Sequence, residues 1–163
     1  MKRISIFAML PILFCSIACN RIPSEYRSFV EMPLSKQHEF MSKMPLDRRI
    51  DYYLAGMRYI EPPQIGLADD IAREGKKALP VLVQRVRAEN DERAKVNLVL
   101  VFGVMHSRFV KLDDERETLT TLRQTVAEMT NQDYRKRSEQ TLEYIETDKV
   151  PDIETVLTEI SKK

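Results

Sequence analysis

An all-α fold is what this chain predicts, assembled from antiparallel helix pairs stacked into a short solenoid. Three observations carry that expectation. Glycine occurs only four times in 163 residues and tryptophan not at all, while Leu, Glu, Lys, Arg and Met, all good helix formers, are abundant. The long apolar patterns repeat at the spacing of one helix face, and no stretch reads convincingly as a strand. Prolines and short Asn/Asp runs punctuate the patterns, where they start or stop helices.

Taken in order, a short helix is expected from about Leu34 to Lys43. Pro45 suits a first helical turn, and Leu46, Ile50, Tyr53, Leu54 and Met57 then form one apolar face up to the corner Glu61-Pro62-Pro63. The paired prolines force extended backbone there. Ile65, Ala68, Ile71 and Ala72 mark a second helix that stops at Gly75, a natural left-handed terminator, with Arg73 and Lys76 near its negative end. Leu79, Leu82, Val83 and Val86 stripe the next helix. Asn90-Asp91 supply a turn and an N-cap, and Ala94 to Met105 is apolar on nearly all sides, as suits a helix buried between neighbours. Asp113-Asp114-Glu115 put negative charge before a helix bearing Leu119, Leu122, Val126 and Met129. Asn131 opens its partner, with Tyr134, Ser138, Leu142 and Ile145 inward. Pro151 starts a last short helix striped by Ile153, Val156, Leu157 and Ile160.

The first eighteen residues stand apart. Lys2 and Arg3 precede an apolar run from Ile4 to Ala18 that is too short to span a bilayer, which takes ~20 apolar residues, and Pro11 interrupts it. The segment reads as a cleavable export signal. Ser16-Ile17-Ala18-Cys19 resembles the lipobox of bacterial lipoproteins, in which a small residue precedes the cysteine that receives lipid before cleavage. The resemblance implies a mature chain that begins at lipidated Cys19 and is held at the membrane by its acyl chains. Two or more chains hold stably where one is marginal. Asn20 is not the Asp of an inner-membrane retention signal, so in a cell with an outer membrane that membrane, on its periplasmic side, is the expected destination. Ser16-x-Ala18 also satisfies an ordinary cleavage site that would leave Cys19 unmodified. Residues 1–18 are thus expected as signal, 19–33 as lipidated N-terminus and tether, and 34–163 as one helical domain.

Charge and cysteine content narrow the function classes. The chain has 26 basic and 25 acidic residues, and loss of the signal removes only Lys2 and Arg3. A nearly neutral mature chain lacks the basic face that nucleic acid demands. Cys15 leaves with the signal, so no intramolecular disulfide is expected. The ~145 residues that remain bury about two thirds of their unfolded surface, enough for a core without staples.

Gly75 to Met105 resembles one unit of a HEAT-type helical repeat. A first helix carrying Pro80 leads through the Asn90-Asp91 turn into a second helix that opens with Lys95-Val96. The flanking pairs match it in rhythm at roughly 35-residue spacing. Single hairpins cannot bury their stripes, whereas three stacked ones can.

Chemistry is sparse. His38 and His106 have no Cys or His at ligand spacing, Asp69-Asp70 lies far off in sequence, and no metal or other cofactor is expected. No nucleophile elbow, P-loop or dinucleotide-binding glycine pattern occurs, and no catalytic residue is assigned. Asp113-Asp114 and Asp69-Asp70 read as helix-start and solvated acids, and Arg135-Lys136-Arg137 as solvated surface. The run from Tyr52 to Pro63 is the exception. Tyr53 lies on the buried stripe, but Tyr52, Arg58, Tyr59 and Glu61 fall on other faces beside a rigid corner, and exposed Tyr and Arg are the residue types that anchor partners. Tyrosines that merely cover the next helix are the plainer reading of the same residues. The expected role is a lipid-anchored binding or scaffold module for a protein or peptide partner. Alternatives are an envelope enzyme or accessory with an acidic cleft, and a periplasmic immunity-type protein.

Overall fold

In the computed structural model, residues 21–149 are described, and all regular structure among them is helical. The helices are α1 (Ser24–Val30), α2 (Leu34–Ser42), α3 (Leu46–Tyr59), α4 (Ala68–Ala72), α5 (Leu79–Ala88), α6 (Glu92–Arg108), α7 (Arg116–Ala127) and α8 (Gln132–Thr147), with 3₁₀ turns at Ile65–Leu67 and Gly75–Ala78. Cys19 and the helix expected after Pro151 lie outside the described residues.

Helix starts follow local chemistry. Pro23, Pro33 and Pro45 each stand directly before a first helical residue with ψ of 142°, 147° and 155°, so a ring-fixed φ delivers the chain from extended backbone into the helix. Asp91 and Asn131 cap α6 and α8 by accepting the N–H of Arg93 (2.9 Å) and Tyr134 (3.1 Å). Gly75 has φ +60°, the left-handed geometry a side chain resists, although α4 itself ends three residues earlier at Ala72. The peptide bond before Pro62 is cis.

Sequential pairs α3/α4, α5/α6 and α7/α8 stack so that α6 lies between α4 and α8 while α5 lies beside α7. The stacking repeats in register. Arg87 on α5 donates to Thr121, 34 positions on in α7, and Glu92 at the start of α6 reaches Asn131, 39 positions on at the start of α8. Because His106 near the end of α6 also meets Asp148 just past the end of α8, the two helices run in the same direction, as equivalent helices of a repeat must. Their close approach depends on Gly103, where a Cβ would stand 2.7 Å from Thr141 Cγ2. Leu98, Val99, Val101, Phe102 and Met105 of α6 are fully buried, as their all-round apolar pattern predicted. Leu119, Leu122, Val126 and Met129 are buried in and just after α7, and Ser138, Leu142 and Ile145 on α8.

Two expectations need correction. The segment 19–33 is not a plain tether, since within it Ser24–Val30 forms α1 and places fully buried Phe29 against the rings of Phe40 and Tyr52 at 5.8 and 5.0 Å. The side-chain amide of Gln37 on α2 donates to the Phe29 carbonyl at 3.0 Å. Tyr26, Phe29 and Val30 in an otherwise polar septet carry too little periodicity to announce a helix, yet the apolar area they bury holds α1 on α3. Ile65, assigned to the inward stripe of the second helix, is 53% exposed. After the prolines at 62 and 63 the chain forms only a 3₁₀ turn there, with Ile65 outward and Leu67 buried.

Candidate functional site

Beside the corner at Glu61, the ends of α3 and α5 and the start of α6 leave a cleft of about 200 Å³. Its floor is made by Leu54, Ala55 and Ala94, two of them small enough to give depth. Its walls are charged and largely neutralised. Arg85 donates to Asp51 at 2.8 Å and Arg58 to Asp91 at 3.1 Å, so helices five and six are tied to α3 across the opening. Glu89 turns onto the backbone N–H groups of Asn90 and Asp91 at 2.9 and 3.0 Å. Arg93 donates to the carbonyl of Met57 at 3.2 Å, one of the acceptors left open at the end of α3. Tyr59 lies at the rim with the Arg58 guanidinium 5.7 Å from its ring centroid. Tyr26 of α1 lines the cleft too. Burial, and then the nearby carboxylates of Asp51 and Glu25, push its hydroxyl up to about 12, so it is a neutral donor at any physiological pH.

Of the residues singled out from sequence, Arg58 and Tyr59 are brought together at this cleft, with the Arg58 side chain 46% exposed. Glu61 is exposed on the corner just beyond, and does not line the cleft. Tyr52 is different. It is only 7% exposed and sits in a knot of rings, edge-on to Tyr26, Phe29 and Phe40 at 5.2, 5.0 and 5.2 Å, with Arg48 5.5 Å from its centroid. The helical period put it off the stripe of Tyr53 correctly. What was missing was α1, which covers that second face of α3.

The other lining residues, Asp51, Arg85, Asp91, Arg93 and Asn97, were not selected from sequence. Arg93 and Asn97 lie four apart on one face of α6, a spacing that in retrospect marks a polar seam on an otherwise apolar helix. A broader groove of about 700 Å³ runs between α5 and α7 past Pro80 and Val83, but it offers no aromatic side chain, and its Lys76 and Arg87 are already engaged by Glu115 and by Thr121.

Both histidines have structural partners that sequence distance concealed. His38 donates from Nδ1 to Asp70 at 2.6 Å, and its neighbours Arg49 and Glu74 pair at 2.6 Å, so α2, α3 and α4 are joined by charge. Asp69 accepts both contacts of Arg108 Nη1, at 2.9 and 2.7 Å. His106 is buried. Its Nδ1 accepts the N–H of Leu112 at 3.1 Å, which leaves the proton on Nε2 to be donated to Asp148 at 2.8 Å. Lys111 also donates to Asp148, and the ring of Tyr144 stands edge-on at 5.3 Å. The contact with Lys111, and then that with His106, hold the Asp148 carboxyl below its usual range. Among the described residues no group of three His, Cys, Asp or Glu side chains is arranged to hold a metal ion, and no helix is long and apolar enough to cross a membrane.

No family model matches this chain, and no curated protein or solved structure is significantly similar to it.

Proposed function

We propose that the chain is a lipid-anchored module of the cell envelope, a short HEAT-like solenoid that binds a protein or peptide partner at the cleft beside Tyr59. The observation that carries the reading is the junction of Arg58 and Tyr59 on the rim of an apolar-floored cleft. Tyr and Arg are the side chains that most often dominate binding energy, and here both are fixed on regular helix rather than on a mobile loop. At about 200 Å³ the cleft is smaller than the ~300–1,000 Å³ pockets that hold drug-sized ligands. The carboxylates Asp51 and Asp91 face guanidinium groups, not each other, which is the arrangement of a binding surface more than of an acid–base pair. The anchoring part of the reading rests on Ala18-Cys19 and the apolar run before it.

Cross-linking in intact cells, followed by recovery of the protein, tests both parts. Tyr59→Ala or Arg58→Ala should weaken partner recovery by ~2 kcal/mol or more while leaving the melting temperature near that of the parent. Retained recovery in both variants would remove the cleft as the binding site. Cys19→Ser should abolish incorporation of radiolabelled fatty acid and leave precursor with its signal. Normal labelling of that variant would end the lipoprotein assignment.

A further inference from the structure

We propose that the cleft opens at the surface of the membrane that holds the lipid anchor, and that the partner it takes is a protein bound in that same membrane. The proposal rests on the lipid-anchor and partner-binding readings above and adds where the partner lies. Charge does not select the occupant, because Asp51, Glu89 and Asp91 in the lining stand against Arg58, Arg85 and Arg93. Location does. Tyr26 lines the cleft, and it is the third residue of α1, whose first residue Ser24 is only five positions after Cys19. Five residues span at most ~18 Å when fully extended, at ~3.6 Å each. A plain tether from 19 to 33 would instead give Leu34 a reach of ~54 Å at the same rise per residue. Folding of α1 onto α3 therefore takes up roughly two thirds of that slack and delivers the anchored end of the chain beside the cleft.

The domain is too long to escape this constraint. From Arg93 at the cleft, α6 runs ~24 Å to its far end at Phe109, at ~1.5 Å per residue. Because α8 runs in the same direction, Asp148 marks the same far end. Standing the domain on that end would lift the cleft by more than the tether spans even when fully extended. Pro23, with φ −54° and ψ 142°, closes the tether in extended backbone and removes rotation from its last link. The helix that follows is fixed in its turn, since fully buried Phe29 and the edge-on rings of Tyr26 and Tyr52, 5.2 Å apart, hold α1 on α3. Tyr26 and Tyr59 both line the cleft, and tyrosine suits a boundary with an apolar side and a wet one. A partner confined to the same membrane meets the cleft at a raised effective concentration, whereas one free in solution has to enter the narrow space beside the bilayer.

The test places a fluorophore on a single added cysteine of the full lipidated chain, in phosphatidylethanolamine/phosphatidylglycerol vesicles whose chelating headgroups carry nickel, a short-range quencher. Asn90→Cys lies in the exposed turn beside the cleft, and Ser107→Cys at the exposed far end of α6. With ~25 Å of helix between them, the label at 90 should be quenched at least about twofold more than the label at 107. Lengthening the tether by ~30 Gly/Ser residues between Arg21 and Ile22, a coil of ~30 Å, should erase the difference. Equal or reversed quenching in the parent overturns the proposal. A difference that survives the long tether overturns it too, because the cleft face would then adhere to lipid itself. In intact cells, a cleavable cross-linker should recover a partner that, once the linker is cut, stays with the membrane fraction through an alkaline wash; a partner released by the wash overturns the assignment. Failure of the underlying readings shows separately. Absence of fatty-acid incorporation at Cys19 removes the anchor, and unchanged partner recovery in Tyr59→Ala removes the cleft, whatever the two labels report.

Discussion

Replacement of Phe29 by alanine tests whether the segment after the anchor is a tether or part of the fold. Phe29 is fully buried, contacts the rings of Phe40 and Tyr52, and is the residue through which seven-residue α1 enters the core. A buried Phe→Ala change costs ~3–5 kcal/mol, the lost transfer energy plus the cavity it leaves. Each lost aromatic pair is worth ~0.5–1.5 kcal/mol beyond area, which places the expectation in the upper half of that range. A domain of this size has ~5–15 kcal/mol to lose in all. At ~2–4 °C per kcal/mol, the melting temperature should fall by ~8–20 °C. Thermal and urea unfolding followed by circular dichroism at 222 nm would measure it, with Arg27→Ala on the exposed face of the same helix as the control, expected within ~0.5 kcal/mol. A loss under ~1 kcal/mol for Phe29→Ala, no different from Arg27→Ala, would mean that α1 rests on the surface and that the core begins only at α2.

Three further outcomes follow from the stacking. Gly103→Ala should destabilise despite the ~1 kcal/mol gained in helix propensity, because its methyl meets Thr141 Cγ2 and overpacking costs ~1–3 kcal/mol; adding Thr141→Ser, which deletes that methyl, should restore stability in urea melts, and a stabilising single variant would refute the close crossing. His106→Ala leaves the Leu112 N–H without its acceptor, a loss of ~1–3 kcal/mol, and should raise hydrogen exchange at Leu112 well above that of amides in α3; unchanged protection would show the bond to be unimportant. Glu92 accepts the backbone N–H of Thr130 and that of Asn131, then the Thr130 hydroxyl, which lowers its pKa, and Asp148 is lowered by Lys111 and His106. Groups with depressed folded-state values contribute fully above their unfolded values, about 4, and lose that contribution as pH falls through the folded ones. The urea midpoint should therefore drop on acidification below pH ~4, less steeply in Glu92→Gln, and equal slopes in parent and variant would rule out the Glu92 staple.

The sequence alone determined most of the helices, α1 excepted, because a helix is a local object. The stripes of α3, α5, α6 and α7, the caps at Asp91 and Asn131 and the left-handed Gly75 are each set by residues within a turn or two of one another, and each was legible. Arg58 and Tyr59 were legible as well, since they end an amphipathic helix away from its apolar face. Tertiary structure decided what those faces meet. Tyr52 is core only because α1 folds back over α3, and Ile65 is outside only because the proline corner shortens α4. His38 with Asp70, Arg49 with Glu74, Glu92 with Asn131 and His106 with Asp148 are separated by 32, 25, 39 and 42 positions, and no local period encodes such distances. The cleft belongs to the same class. Its walls come from the ends of α3, α5 and the start of α6, and charges that look like ordinary solvated surface in the sequence become pairs only when stacking of apolar stripes brings three helix ends together.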